Sequence, residues 1–334
     1  MSRAIFEDDE MKLAGRRASI VPDVPMRAVM PVCSAAGQDG KPLAERPDRS
    51  LNHAAMPMDP DDVELINEHL EVRVDGVSLD VATTRRHGEG APIVFLHGFG
   101  STKEDYLDIA HQASFAGHPF LVYDAPGCGE TSCADLSRIS IPFLVKTARA
   151  VLERLGIPRF HLVGHSMGGL TALMLAHQEP DRVLSFVDIE GNVAPEDCFL
   201  SRQIVTHASD DAEGFLAEFS ERVRRSPSSS SALYAVSVRH KVRAGAVRGI
   251  FESMVDLSDH GDLMAKFLAL PFPSMFMYGE ENSSLSYLKT LAAGGVELAE
   301  IPHSGHWPMY SHPVAMWERI AAFHALSRPL NPQI

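Results

Sequence analysis

Ser166 stands in the pentapeptide Gly164-His165-Ser166-Met167-Gly168, after the apolar run Phe160-His161-Leu162-Val163 and before the helical pattern Leu170 to Ala176. Strand, sharp turn and helix in that order are the setting in which a G-x-S-x-G serine is lifted clear of a sheet. Glycine on both sides leaves room for such a turn, and Gly169 adds another small residue. A serine hydroxyl is a poor nucleophile at neutral pH. It needs a base to take its proton, a partner to orient that base, and donors for the oxyanion that forms.

The tail offers the base. Ile301-Pro302-His303-Ser304-Gly305-His306 follows the last apolar strand, so it lies at the same sheet end as Ser166. His306 is the expected base, because Gly305 lets the chain bend to present it. His303 comes first after the strand and is expected behind it. His165 adjoins the serine, and a neighbour in that turn points into the fold rather than at the hydroxyl.

Two loops compete for the acid. Gly279-Glu280-Glu281-Asn282 is a common place for it, but asparagine stands where an aspartate is usual. An asparagine cannot stabilise an imidazolium by charge. In Val187-Asp188-Ile189-Glu190-Gly191, Asp188 and Glu190 fall on one side of an extended chain. Glu190 lies further out, where Gly191 turns the chain, and is the expected acid. Glu281, Glu280 and Asp188 remain alternatives. The oxyanion donors are expected to be the N–H groups of Met167 and of Phe99 in His97-Gly98-Phe99-Gly100.

These residues need a scaffold. Leu70–Val74 and Val77–Ala82 alternate around Asp75-Gly76, a hairpin signal. Ile93–Leu96, Phe120–Tyr123, Phe160–Val163, Leu184–Asp188, Ser274–Tyr278 and Val296–Ile301 read as strands, several of them apolar throughout. Helical patterns at Ile141–Leu155, Leu285–Ala293 and Val314–Leu326 separate them. Such alternation predicts an α/β fold, a mostly parallel sheet covered by helices on both faces, with ligands at the carboxyl ends of the strands. Residues 63–191 and 271–334 form that core. Residues 192–270 break the rhythm with helical patterns, Phe215, Phe219 and Val223 on one face and a second run from Ala232 to about Met254. This insertion is expected to be a helical cap over the strand ends. Residues 1–62 hold seven of the 22 prolines and little periodicity, which reads as a disordered extension or an oligomer-bridging arm.

The formal charge of −14 opposes a nucleic-acid partner or an anionic membrane surface. No apolar run reaches transmembrane length, and no apolar leader follows Met1. Cys33, Cys128, Cys133 and Cys198 show neither framework nor zinc spacing, so they read as free thiols of a cytoplasmic protein. There is no Gly-x-Gly-x-x-Gly, P-loop or His-Glu-x-x-His motif, so no cofactor and no metal is expected. Water is the only co-substrate required.

Together these residues resemble the α/β-hydrolase superfamily over about Glu71 to Leu326. The resemblance is carried by His97-Gly98-Phe99-Gly100, Asp124-Ala125-Pro126-Gly127-Cys128-Gly129, Gly164-His165-Ser166-Met167-Gly168-Gly169 and Gly305-His306. An acid after the fourth parallel strand, 190 − 166 = 24 residues past the serine, is similar to haloalkane dehalogenases and to the lactone hydrolases that open zearalenone. Dehalogenases and epoxide hydrolases use an aspartate nucleophile, so the serine here implies neither activity. What the resemblance implies is a serine hydrolase cleaving an apolar carboxylic ester or lactone through an acyl-enzyme. The same triad would serve a C–C bond hydrolase, with Arg202 or Arg239 as candidate carboxylate partner, or a thioesterase. A small-molecule-binding receptor of the same fold is the alternative outside catalysis.

Overall fold

The computed structural model describes residues 64–207, 211–226 and 229–327. The expectations for the N-terminal extension, residues 1–62, and for Cys33 lie outside them. Strand β1 (Ile66–Val74) turns at Asp75 and Gly76, both at positive φ, into the antiparallel strand β2 (Val77–Arg86). Two positive-φ residues are what a two-residue hairpin demands. The chain then enters β3 (Ile93–Leu96) and β4 (Phe120–Tyr123), both buried along their whole length. A two-residue strand β5 (Ser132–Cys133), too short to be read from the sequence, pairs with β2.

Helix α1 (Ile141–Arg154) leads to β6 (Phe160–His165), which runs into α2 (Met167–Gln178) through Ser166 alone. Then come β7 (Val183–Ile189), β8 (Ser274–Gly279) and β9 (Glu297–Ile301). The sheet order is β1-β2-β4-β3-β6-β7-β8-β9, with parallel pairing from β4 onward. Strand order reverses between β3 and β6. That switch point opens the crevice in which open α/β sheets bind ligands. The loops after β3 and β6 carry Phe99 and Ser166, so both fall at its mouth.

Between β7 and β8, the α-helices among the described residues are α3 (Gln203–Thr206), α4 (Ala212–Arg224), α5 (Ser229–Lys241), α6 (Val247–His260) and α7 (Leu263–Leu268). The expected single run from Ala232 to Met254 is in fact two helices. Its break has a tertiary cause: Val242 bridges Cys128, and the Arg243 N–H donates to Gly127 O at 2.8 Å. The chain closes with α8 (Leu288–Ala293), α9 (Pro308–Ser311) and α10 (Pro313–Ser327). Helix α8 starts three residues later than the pattern suggested. Cys128, Cys133 and Cys198 are free thiols. Among the described residues no helix is long and apolar enough to cross a membrane.

Candidate active site

Ser166 has φ 51° and ψ −117°, a backbone state that an L-residue holds only when its surroundings force it. Two contacts do so. Its N–H donates to Ile189 O at 3.0 Å, and its carbonyl accepts from Leu170 N at 2.9 Å. The turn closes so tightly that a Cβ on Gly164 would stand 2.5 Å from Gly168 O, and one on Gly168 would stand 2.0 Å from Leu96 O. Both glycines are therefore steric requirements, as expected from the pentapeptide.

Glu190 follows β7 directly. Its φ is 52°, and its N–H is tied to Met277 O at 2.9 Å, so the side chain leaves the end of the sheet. The carboxylate is buried. Oε1 accepts from Gly279 N at 2.7 Å, and Asn282 Nδ2 lies 3.0 Å from both Oε1 and Oε2. Oε2 stands 3.7 Å from His306 Nδ1, beyond hydrogen-bond length but close for a charge. The other candidate acids are elsewhere. Glu280 pairs with the exposed His303, 3.6 Å away, which places His303 at the surface rather than behind His306. Glu281 lies against Gly305, where a Cβ would meet its Oε2 at 2.6 Å. Asp188 is fully buried beneath the turn, packed against Gly169 and Gly191. Burial first, and the nearby Asp197 charge second, push the Asp188 carboxyl well above the usual carboxylate range.

The loop of His306 is held from below. Ser304 Oγ meets Ser311 Oγ at 2.6 Å, and Ser311 Oγ donates to Trp307 O at 3.0 Å. His165, the elbow neighbour, does point into the fold: its Nε2 lies 2.8 Å from His306 O. Burial, and then the neighbouring His306, hold its pKa well below the imidazole value, so a neutral ring donates there. His97 performs a similar service. Its Nε2 accepts from Ala125 N at 2.8 Å, which leaves Nδ1–H to face Gly98 O at 2.8 Å and ties the loops after β3 and β4 together. Asp124 continues the brace by accepting from Lys103 N, Lys103 Nζ and Glu130 N at 2.8, 3.1 and 2.8 Å.

The family model described as "Alpha/beta hydrolase family" matches residues 93–319, well over half of the chain. The chain belongs to the alpha/beta hydrolase family. The hydrolase is 33% identical over 120 residues to a pimeloyl-acyl-carrier-protein methyl ester esterase of Aeromonas salmonicida, a match covering 36% of this chain and 44% of that esterase. It spans only a quarter of another curated relative, at 25% of its length. Among solved structures it resembles an esterase of Thermogutta terrifontis, with TM-score 0.63, 19% identity, and 78% of this chain and 100% of that one covered. It resembles N-acyl homoserine lactonase AidH, crystallised with N-hexanoyl homoserine, to a similar degree: TM-score 0.62, 17% identity, and 81% and 100% covered. At those identities the structures speak for the fold alone.

A cavity open to solvent is lined by Ser166 and His306 of the hydrolase core and by the helical segment between β7 and β8. Its walls are mainly aromatic: Phe99, Phe199, Phe219, Tyr234, Phe251 and Trp307. Phe199 is half exposed and meets the His306 ring edge-on at 5.7 Å, at the cavity mouth. Phe215 is not among the lining residues, and its ring lies 6.1 Å from that of Phe251. Leu233 faces solvent. Asn192, Asp197 and Ser201 form a polar edge that the sequence did not announce. Asp197 Oδ2 accepts from Val193 N and Ala194 N at 2.8 Å each, and Oδ1 from Tyr287 OH at 2.8 Å. Burial nevertheless pushes its pKa up to about 7. Among the described residues neither the Phe99 nor the Met167 N–H has an acceptor. Arg202 is engaged by Asp259 at 2.6 Å, and no arginine or lysine lines the cavity among the described residues.

Proposed function

We propose that this hydrolase cleaves a carboxylic ester or lactone through an acyl-enzyme on Ser166. The observation that carries the reading is the meeting of Ser166, Phe99 and the Glu190-paired His306 at one aromatic cavity, with the N–H groups of Phe99 and Met167 lacking acceptors among the described residues. His306 presents Nδ1 to Glu190, so Nε2 is the nitrogen left to take the Ser166 proton. As Oγ attacks the carbonyl carbon, charge builds on the carbonyl oxygen, and the N–H groups of Phe99 and Met167 receive it. The imidazolium, stabilised by Glu190, protonates the leaving alcohol. A water then repeats the sequence with His306 as base and frees the acid and Ser166. In a lactone the alcohol and acid remain one molecule.

The 3.7 Å separation of His306 and Glu190 suits a resting site, since such contacts tighten when substrate binds. The helices between β7 and β8 act as the cap. They contribute Phe219, Tyr234 and Phe251, so an apolar acyl or ring group is the part of the substrate they accept. A substrate carboxylate finds no cation there among the described residues, which speaks against a C–C bond hydrolase that anchors one. The reading is tested with nitrophenyl esters of increasing acyl length and with macrolactones. Turnover that vanishes in Ser166→Ala, with an optimum above acetate, supports it. Turnover that survives in Ser166→Ala overturns it.

A further inference from the structure

We infer that Tyr234 is a positioning residue through which the seated cap sets the oxyanion donor at Phe99. The inference rests on the role given to that donor under the proposed function. Tyr234 projects from α5 and is only 2% exposed. Its hydroxyl donates to Phe99 O at 3.0 Å. The N–H and the carbonyl of Phe99 flank a single Cα, so a bond that fixes the carbonyl also restricts the rotation that aims the N–H. Phe99 itself has no other protein hydrogen bond among the described residues. The Gly98–Phe99 peptide that carries the donor is itself held through Gly98 O, which lies 2.8 Å from His97 Nδ1 and accepts from Ser101 N at 3.1 Å, and Tyr234 fixes the next peptide across the Phe99 Cα.

The same ring reaches the other half of the site. It stacks on Trp307 with centroids 4.6 Å apart and planes at 28°, and Trp307 stands perpendicular to His306 at 5.0 Å. Space for the ring comes from Gly100, whose φ is 77° and where a Cβ would lie 2.5 Å from the Tyr234 hydroxyl. One cap side chain thus touches both the residue that offers an oxyanion donor and the neighbour of the base. A cap that only sorted substrates by size would have no need of a hydroxyl buried against the core backbone. Its burial holds that hydroxyl far above the ordinary phenol pKa, so it remains a donor at every working pH.

Tyr234→Phe removes the hydroxyl and keeps the ring. Active sites are first counted with a phosphonate that modifies Ser166, so that kcat refers to folded enzyme. The expected result is a kcat lower by about tenfold with KM nearly unchanged, a fraction of the loss that removal of a whole oxyanion donor brings. Binding of a trifluoromethyl ketone, whose adduct with serine is a tetrahedral oxyanion, should weaken by the same factor. Binding of the corresponding uncleavable ether should hold. An unchanged kcat, or equal weakening of both inhibitors, overturns the inference. Failure of the wild type to hydrolyse any ester or lactone is a separate outcome: it removes the site reading, and this inference with it, before any variant is compared.

Discussion

Asn282 Nδ2 lies 3.0 Å from both carboxylate oxygens of Glu190, so the amide sits beside the acid in the loop where the sequence lacks an aspartate. In the proposed triad the two residues divide one function: the loop after β8 supplies a donor, and the loop after β7 supplies the charge. Gly279 N adds a second donor to the same carboxylate at 2.7 Å. A carboxylate held by three such contacts has one orientation, with Oε2 toward His306.

That arrangement predicts an exchange. Glu190→Gln keeps the shape but loses the charge that stabilises the imidazolium. Its kcat should fall by about 10³- to 10⁴-fold, the scale seen when a triad acid becomes its amide. Adding Asn282→Asp to the same chain returns a carboxylate to a position within hydrogen-bond reach of residue 190. The double variant should regain part of the lost kcat in steady-state assays on the best nitrophenyl ester. A double variant no better than Glu190→Gln would show that the charge acts only from β7.

Gly168→Ala tests the tightness of the serine turn. Its Cβ would lie 2.0 Å from Leu96 O and 2.5 Å from His97 O, both backbone atoms. Neither can swing away as a flexible side chain would, so β3 and α2 must separate. Overpacking of this kind costs about 1–3 kcal/mol, and chemical denaturation should show it. The displaced Met167 N–H should lower kcat as well. Native stability in this variant would contradict the geometry.

Asp188 and Asp197 give stability a pH dependence with a definite sign. Both folded pKa values lie above the ordinary aspartate value, that of Asp197 at about 7. A carboxyl whose folded pKa is raised stabilises the fold most fully below its unfolded pKa, and that contribution is lost as pH rises through the folded value. From about pH 4 to 7 their joint contribution therefore declines with rising pH. Asp188→Asn is neutral throughout, so its melting temperature relative to the wild type should climb across that window. Parallel melting curves for the two proteins would refute a protonated Asp188.

The parts of the site that sequence made legible are those fixed by neighbours along the chain. The Ser166 turn is local, and so is the glycine before His306. The choice among Glu190, Glu280, Glu281 and Asp188 was open because it depends on which carboxylate reaches across to another loop. His97, His165 and Tyr234 went unread as supports for the same reason: each acts on a backbone carbonyl or amide, a partner with no residue-type signature. His303 misled because proximity to the strand end does not fix direction, and its φ of 53° turns it toward Glu280 at the surface. The break between α5 and α6 was hidden because the residues that cause it, Val242 and Cys128, are far apart in the chain.

The turn that holds Ser166 also sorts the site's amides by how fast they trade hydrogen for deuterium. Those of Ser166 and Glu190 are bonded to neighbouring strands, to Ile189 O and Met277 O, and should stay protected until the sheet itself opens. Those of Phe99 and Met167 have no such partner among the described residues and should label early. An oxyanion analogue on Ser166 would slow those two alone, so mass spectrometry of two short peptides could report occupancy of the site without any knowledge of the natural substrate.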